Sequence, residues 1–437
     1  GELTEPAARA EIITLIGTSS MLLTTETWEA TRKPAPARPA PAPAPAPTPQ
    51  SSIGPNNNGL LSTADFDAAA AIFRQHQTAS TGLGPVFNDD SCVNCHHAPS
   101  DGGDSQVNAL RVGFFANGVF TDPPGGSLID RRGLVPQVIP RVPPDANVRT
   151  QRISISTLGD GYVEAVPDSV LQAIAAGQPG LSGGQIHGTA NIVPVLELPN
   201  ATAVGRFGWK AQHASLLSFA ADAFRNEMGI TTPLFPNELS SNGNSVQAFE
   251  PAGFFENQPN RSTNADVVAV TNFMRTSPVR ARIPGAPALG VIQGAQPVGN
   301  AQLIKAGEAL FTQIGCVICH VANLTTGSAG STVNGGAYQV PPILANVTFH
   351  PFGDYLLHDV GTGDGIVQVG GQSTMNQIRT APLWGIATRK AFMHDGTNLD
   401  IPSAILRHAG EASSVIQNYK ALSAADQQNL VTFINSL

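Results

Sequence analysis

The segment SCVNCHH, residues 91–97, places two cysteines three positions apart with His96 directly after the second one. The same pattern recurs in GCVICHV, residues 315–321. A c-type haem needs this arrangement, because two cysteine sulfurs bond the porphyrin vinyl groups while the following histidine binds the iron. The spacing therefore predicts two covalently bound haems with proximal iron ligands His96 and His320, attached through Cys92, Cys95, Cys316 and Cys319.

Other uses of paired cysteines fit the sequence less well. A thioredoxin-type C-x-x-C motif needs a βαβ setting, which neither copy has. A zinc site built from both pairs requires them to meet, although they lie more than 200 residues apart in the sequence. The two motifs use all 4 cysteines of the chain, so none is left for a structural disulfide and a double chance occurrence is remote.

The sequence around the second motif predicts a cytochrome c arrangement. Residues 305–320, KAGEALFTQIGCVICH, read as a helix running into the motif, and the small Gly307 on its apolar face lets another helix cross closely. A similar run precedes the first motif. The final segment, residues 421–437, starts with Ser423 as a helix cap and carries an apolar stripe of Leu430, Phe433, Ile434 and Leu437. A first and a last helix that cross beside a haem are typical of cytochromes c.

The composition indicates a loop-rich, exported protein. Charged residues make up only 13% of the 437 residues, whereas Gly and Pro number 44 and 35. The net charge of −8 favours neither nucleic acid nor an anionic membrane surface as a partner. No apolar run approaches the length of a membrane span. The first residues lack the basic start and apolar middle of a signal peptide, so we interpret them as a mature end and expect a periplasmic or extracellular location.

The chain divides into three predicted parts. Residues 1–58 form an N-terminal extension and a Pro/Ala-rich spacer, which prefers polyproline II and cannot pack a core. Residues 59–285 form an N-terminal c-type haem domain, and residues 286–437 form a C-terminal one. We expect a mainly α fold with long loops and a few short strands. Residues 1–33 are either a passive tether or a segment that docks on a partner or on a neighbouring copy.

Five segments in chain order resemble the bacterial di-haem c-type oxidoreductase family, whose members are described as peroxidases or "thiol oxidoreductases". They are residues 82–99, 205–231, 355–361, 379–412 and the final helix. The chain is similar, more distantly, to di-haem cytochrome c peroxidases, the methylamine-utilisation di-haem enzyme and the rubber oxygenases. The resemblance covers residues 59–437 and leaves the extension and the spacer outside it.

The resemblance implies roles for three residues. His408, in AILRHAGE, would be the distal ligand of the C-terminal haem, and a bis-His iron passes electrons rather than binding peroxide. Trp209, in FGWKA, would relay electrons between the haems; the alternative is a plain core tryptophan. Glu227, in FRNEMGI, would be the acid/base at the N-terminal haem, where peroxide cleavage needs a proton moved between its two oxygens. The alternative for Glu227 is a solvated glutamate at a helix end.

Two further pairs of residues extend this interpretation. His187 and His213 are expected on the distal side of the first domain, and either one reaching the iron would make the first haem six-coordinate and closed. Thr380 and Pro382 resemble part of the peroxidases' calcium site, which is formed partly by backbone carbonyls.

The remaining polar residues in these segments have less specific interpretations. His97 is expected to contact a propionate or the backbone. His358 and His394 match family motifs near the second haem and are expected to be structural. Glu164 matches another family segment, and its role stays open.

Two functional hypotheses follow. In the leading one, a small electron-donor protein or another cytochrome reduces the C-terminal haem, and Trp209 relays the electrons to an N-terminal haem that reduces peroxide or oxidises a substrate. The alternative is a non-catalytic electron-transfer cytochrome with both haems six-coordinate, within a multi-subunit or filamentous assembly. A third reading, an oxygenase like the rubber-cleaving relatives, is less favoured because those relatives lack the distal carboxylate that Glu227 supplies.

The two attachment motifs predict the mass of the purified protein. It should exceed that of the bare chain by ~1.2 kDa, because each motif carries one haem of about 0.6 kDa. Intact-mass spectrometry of protein made in a host that matures c-type cytochromes measures this excess. A chain at its bare mass would contradict the prediction.

Overall fold

The computed structural model describes residues 57–250, 264–279 and 301–437. The Pro/Ala-rich spacer and the predicted docking of residues 1–33 lie outside these ranges. Ten α-helices occur in the described residues: α1 Thr63–Arg74, α2 Cys92–Cys95, α3 Asp160–Glu164, α4 Asp168–Leu181, α5 Leu216–Met228, α6 Ala265–Thr276, α7 Ala301–Gln313, α8 Ile401–Leu406, α9 Ser413–Ala421 and α10 Ala424–Ile434. None of them is both long and apolar enough to cross a membrane.

The same residues contain short strands that form several small antiparallel sheets. The strands are β1 Val86–Phe87, β2 Asn108–Ala116, β3 Val119–Thr121, β4 Leu128–Ile129, β5 Arg132–Gly133, β6 Val148–Ile153, β7 Ile192–Pro194, β8 Thr202–Val204, β9 Ser240–Ser241, β10 Asn244–Ser245, β11 Leu324–Thr325, β12 Thr332–Val333, β13 Tyr338–Gln339, β14 Thr348–Phe349, β15 Leu357–His358 and β16 Ile378–Arg379. The largest sheet has β2 at its centre, paired with β3, β4 and β6.

The mainly α prediction is not confirmed, because the described residues contain 16 short strands beside the ten helices. Strands β2 and β3 form a hairpin whose two turn residues, Asn117 and Gly118, both have positive φ angles of 53° and 80°. Asn-Gly at such a turn matches the twist of the flanking strands and is a strong hairpin signal. The Asn-Gly dipeptide between two apolar runs was therefore the sequence signal for this hairpin.

Each half of the described chain has two helices that pack together beside a C-x-x-C-H segment. Helix α1 packs against α6, where the rings of Phe73 and Phe273 have centroids 4.4 Å apart. Helix α7 packs against α10, where the rings of Phe311 and Phe433 lie 5.3 Å apart. The predicted contact of a first and a last helix is confirmed at the second motif, and it recurs at the first.

Gly307 accounts for the close approach of α7 and α10. A Cβ atom at this position would lie 2.1 Å from the carbonyl oxygen of Asn429 and 2.6 Å from Cβ of Phe433. At the start of α10, the side chain of Ser423 accepts a hydrogen bond from the backbone N–H of Asp426. The predicted helix crossing at Gly307 and the predicted cap at Ser423 are both confirmed.

The largest apolar core is shared by the two halves. Residues from both sides of the predicted boundary at 285 contribute large side chains to it, among them Phe73, Phe224, Phe273, Phe349, Tyr355 and Trp384. A second core lies around α7 and α10. Since one interior serves both halves, separate haem domains at 59–285 and 286–437 stay a prediction.

Glu164 is a fully buried carboxylate that joins several segments of this core. Its oxygens accept hydrogen bonds from Nε of Arg275 at 2.6 Å and from a second guanidinium nitrogen of the same residue at 3.0 Å. The backbone N–H of Leu216, the first residue of α5, donates to it at 2.8 Å, and the Asn334 amide donates at 3.3 Å. A carboxylate at a helix N-terminus is stabilising. Its role, which the sequence left open, is therefore structural.

Substituting Gly307 tests the helix crossing. Gly307→Ala should destabilise the protein by about 1–3 kcal/mol, because the helices must separate to accommodate the new methyl group. Gly180→Ala is a matched control within α4, since a Cβ atom there meets open space. It should be neutral or slightly stabilising, because alanine favours helix over glycine. Thermal unfolding of the two variants measures the difference, and equal midpoints would contradict the prediction.

Candidate haem-binding sites

The first motif forms the short helix α2, and His96 ends it. Nδ1 of His96 lies 3.0 Å from the carbonyl oxygen of Gly103, and its ring contacts Phe73 edge-on with centroids 6.4 Å apart. Donation from Nδ1 to a carbonyl fixes the tautomer and the ring orientation, and leaves Nε2 as the nitrogen that can bind a metal. The geometry therefore fits a proximal haem ligand.

The second motif repeats this design with different residues. Cys316–Ile318 form a single turn, and Nδ1 of His320 lies 3.0 Å from the carbonyl oxygen of Phe352. The ring of Phe311, on helix α7, lies 6.2 Å from the His320 ring. In both halves a phenylalanine of the first helix thus contacts the histidine ring and the last helix.

His408, which follows helix α8, lies close to His320. Its Nδ1 lies 2.8 Å from the carbonyl oxygen of Ala404, so Nε2 is again the free nitrogen. Burial lowers the pKa of His320 to about 4, with a smaller contribution from the neighbouring His408. Burial also lowers the pKa of His408. Two neutral imidazoles with free Nε2 atoms are residues that would hold one haem iron.

The four cysteines of the two attachment motifs are free thiols. Burial raises the pKa of Cys92 and of Cys316 to about 12, so both are neutral thiols before any bond is formed. Cys319 also lies with Asp354 and His358 in a group whose ligand atoms are all within 4.8 Å of one another. Because the sulfur of Cys319 belongs to the attachment motif, we assign it to haem rather than to a separate metal ion.

Glu227 lies beside the first motif, near the end of helix α5. Its backbone carbonyl accepts hydrogen bonds from the N–H groups of Asn88 at 2.8 Å and Asp89 at 3.0 Å. The side-chain amide of Asn88 donates to Oε2 of Glu227 at 3.1 Å. Burial raises the pKa of Cys95 to about 12, and the charge of Glu227 adds to the rise. The carboxylate is therefore fixed to the segment that leads into the attachment motif.

Further acidic and basic residues surround Glu227 and were not identified from the sequence. Asp130 is only 4% exposed, and its Oδ1 has no hydrogen-bond partner among the described residues. Burial raises the pKa of Asp130 to about 8, with a further contribution from Glu227. Burial also raises the pKa of Glu227, against an opposing effect of Arg111. Asp130 comes from the link between β4 and β5, and no motif in the sequence marks it.

Trp209 lies where the two halves of the chain meet. Its Nε1 donates to the carbonyl oxygen of Ile153 at 2.8 Å, and its carbonyl accepts the N–H of Arg379 at 2.8 Å. The Trp209 ring contacts the ring of His394 edge-on, with centroids 6.2 Å apart. Ser154, which follows Ile153, donates from Oγ to the carbonyl oxygen of Cys95 at 2.6 Å. A short path of bonds thus connects the indole to the first motif.

The two histidines expected over the first haem lie elsewhere or are otherwise engaged. His187 is exposed, and its backbone N–H donates to Glu411 of the second half at 2.9 Å. His213 is buried with Nε2 3.3 Å from Asp222 and Nδ1 3.2 Å from Ser218. Both ring nitrogens of His213 thus have polar partners. These contacts support neither His187 nor His213 as an iron ligand.

The carbonyls expected to bind calcium already have cationic partners. The guanidinium of Arg389 donates to the carbonyl oxygen of Pro382 at 3.0 Å. The carbonyl oxygen of Thr380 lies 3.5 Å from a guanidinium nitrogen of Arg379. Both carbonyls thus lie beside guanidinium groups, and calcium at Thr380 and Pro382 stays a prediction without support from these contacts.

Two of the remaining histidines, His97 and His394, form hydrogen bonds with the backbone. Nδ1 of His97 lies 3.2 Å from the carbonyl oxygens of Val93 and Asn94, which confirms the expected backbone contact. The carbonyl of His394 accepts the N–H of Ile153 at 2.8 Å, and its Nδ1 has no hydrogen-bond partner among the described residues.

A family model described as "Di-haem oxidoreductase, putative peroxidase" matches residues 141–437. The match covers more than half of the chain and includes the second motif, Trp209 and Glu227, whereas the first motif lies before it. No curated protein matches the chain.

Several solved structures are similar to this chain. Hydrazine synthase from Kuenenia stuttgartiensis, pressurised with xenon, is 13% identical over 93% of this chain and 100% of that chain, with a TM-score of 0.40. A MauG-like protein associated with microbial copper homeostasis is 15% identical over 92% of this chain and 95% of its own, with a TM-score of 0.38. The diheme peroxidase BthA from Burkholderia thailandensis is 14% identical over 91% and 94%, with a TM-score of 0.37.

Asp130 predicts a pH-dependent stability. Its carboxyl stays protonated in the folded chain up to about pH 8, whereas its ordinary pKa is 3.8. Between these values the folded chain binds more protons, so the free energy of unfolding falls as pH rises. Asp130→Asn removes this titration, and its melting temperature should gain on that of the wild type from about pH 4 to about pH 8. A constant offset across that range, as expected for the exposed control Asp67→Asn, would contradict the assignment.

Proposed function

The chain belongs to the di-haem oxidoreductase family, and from this premise we propose that it is an exported enzyme that reduces hydrogen peroxide or oxidises a substrate at its N-terminal haem. The observation that carries the proposal is the difference between the two sites. The second site places two histidines, His320 and His408, close together with free Nε2 atoms. The first site places one such histidine, His96, near a carboxylate, Glu227.

Haem bound at the two motifs supplies one-electron transfer at both positions and, where the iron keeps an open face, the reduction of a peroxide. At the first site, Glu227 would take the proton from the near oxygen of the peroxide and deliver it to the far oxygen. Asn88 holds Oε2 of Glu227 and so orients Oε1 for this transfer. Burial raises the pKa of Glu227, which brings a carboxyl group closer to the pH at which a proton shuttle is most effective.

Trp209 is proposed to relay electrons from the second site to the first. The indole hydrogen bonds to Ile153, whose neighbour Ser154 hydrogen bonds to the first attachment motif. On its other side, the backbone of Trp209 is bound by Arg379, and its ring contacts His394. Both Arg379 and His394 belong to the second half of the chain. The contacts therefore support a route through this tryptophan.

The second site is proposed as the point where electrons enter. His320 and His408 would both hold this iron, so it would have no place for peroxide and would only transfer electrons. A small electron-donor protein or another cytochrome is the partner that fits this role. A periplasmic or extracellular location is proposed with it, because c-type haem attachment is expected for an exported chain of this family.

Ligand binding tests the proposal directly. We expect carbon monoxide, added to the reduced protein, to bind about one haem per chain, since only the first iron is proposed to be open. Glu227→Gln should abolish turnover with hydrogen peroxide while haem content and carbon monoxide binding stay unchanged. Absorption spectroscopy and a peroxide-dependent oxidation assay measure both.

The control and the contrary outcomes are equally specific. Asp67→Asn removes an exposed carboxylate of helix α1 and should keep full turnover. Two low-spin haems that bind neither carbon monoxide nor cyanide would favour the non-catalytic electron carrier. Turnover that survives in Glu227→Gln would remove Glu227 from the mechanism.

A further inference from the structure

The loop that carries His408 is fastened to the strand region around β15. The backbone N–H of Ala409 donates to the carbonyl oxygen of Val360 at 2.8 Å. Two residues further on, the N–H of Glu411 donates to the carbonyl oxygen of Asp359 at 2.9 Å. These two bonds fix the backbone directly after the histidine.

The side chain of Glu411 adds three more contacts to the same region. Its Oε2 accepts the backbone N–H of His187 and lies 2.9 Å from Nδ1 of His358. Its Oε1 accepts the backbone N–H of Asp359 at 3.1 Å. Gly410 permits the close approach, because a Cβ atom there would lie 2.3 Å from the Asp359 carbonyl oxygen. Glu411 is thus bound from three directions.

His358 joins two carboxylates in the interior. It is only 2% exposed, with Nδ1 facing Glu411 and Nε2 2.9 Å from Oδ2 of Asp354. Because both ring nitrogens face carboxylate oxygens, both must donate, and the ring is an imidazolium. Burial opposes this charge, but Asp354 and Glu411 together hold the pKa of His358 well above its ordinary value. Charge-assisted hydrogen bonds of this kind are shorter and stronger than neutral ones.

Asp354 continues the chain of contacts to the opposite side of the second site. Its Oδ2 accepts a hydrogen bond from the Gln178 amide nitrogen at 2.7 Å. The same nitrogen donates to the carbonyl oxygen of Ile318, within the second attachment motif, at 2.9 Å. The amide oxygen of Gln178 in turn accepts the N–H of Gly188 at 2.8 Å. The contacts therefore run without a break from the distal loop to the attachment motif.

We propose that Glu411, His358 and Asp354 form a latch that holds His408 in place as the distal ligand of the second haem. They are positioning residues, because none of them occupies an axial position. The inference rests on the proposed role of His408. Without the latch, the loop would move away from the iron and the second haem would open to external ligands.

This arrangement has a specific consequence for the two halves of the molecule. Gln178 lies in helix α4 of the first half, whereas the three latch residues belong to the second half. The helix of one half therefore supports the closed state of the haem in the other half. A change at Gln178 should affect the second iron, although the residue is far from His408 in the sequence.

Two variants test the latch in the complete, haem-loaded protein. Glu411→Ala and His358→Gln should raise carbon monoxide binding of the reduced protein by up to about one haem per chain over the wild type. The low-spin ferric signal of the second haem should fall by the same fraction in electron paramagnetic resonance. Added imidazole should restore that signal, because it replaces the displaced histidine. Circular dichroism that matches the wild type excludes loss of the fold, because a haem held on an unfolded chain also binds imidazole.

Three further variants separate the outcomes. His408→Ala defines the fully open second haem, and Asp426→Asn, at the cap of α10, removes a carboxylate outside the latch. If His408→Ala leaves carbon monoxide binding unchanged, the ligand assignment itself is wrong and the latch fails with it. If His408→Ala opens the haem while Glu411→Ala and His358→Gln match the wild type, the latch alone is overturned. Should Glu411→Ala not accumulate with haem, Asp354→Asn decides by the same measurements.

Discussion

Both sites depend on one kind of hydrogen bond, from Nδ1 of a histidine to a backbone carbonyl. His96, His320 and His408 each make this contact, with Gly103, Phe352 and Ala404 respectively. The bond is what turns a flexible side chain into a directed metal ligand, because it fixes both the tautomer and the ring plane. In the two proximal cases a phenylalanine ring from the neighbouring helix limits the remaining rotation.

The surroundings then separate two sites that share one motif. Around the second site the charged groups bind one another, since His358 lies between the carboxylates of Asp354 and Glu411. Around the first site Asp130 and Glu227 lie near each other in a buried region, where burial raises the pKa of both and the charge of Glu227 makes ionisation of Asp130 harder still. Carboxylates whose pKa values are pushed upward can hold and release protons near neutral pH. The two sites therefore share one attachment motif but differ in the ionisable groups around it.

The parts of this arrangement that the sequence could predict are local. The C-x-x-C-H spacing, the cap at Ser423 and the small Gly307 each depend on residues close together in the chain. The Asn117–Gly118 hairpin has an equally local signal, although it was not among the predicted elements. The latch could not be predicted, because Gln178 and Asp354 meet only after the chain has folded. Asp130 likewise has no motif that marks it in the sequence, since the charged residues around it, such as Arg111 and Glu227, are distant in the chain.

The position of Trp209 shows why the two halves must share one interior. Its neighbour Lys210 is fully buried and binds Asp364 at 2.8 Å. Asp364 also binds Arg152 at 2.6 Å, and Arg152 directly precedes Ile153, the residue that accepts the indole N–H. Breaking one partner of such a buried pair is strongly destabilising, because it leaves an uncompensated charge in the interior. One carboxylate of the second half thus binds the residues next to Trp209 and next to its hydrogen-bond partner Ile153, and the halves cannot separate without exposing or stranding these charges. The indole therefore keeps a fixed position within the shared core.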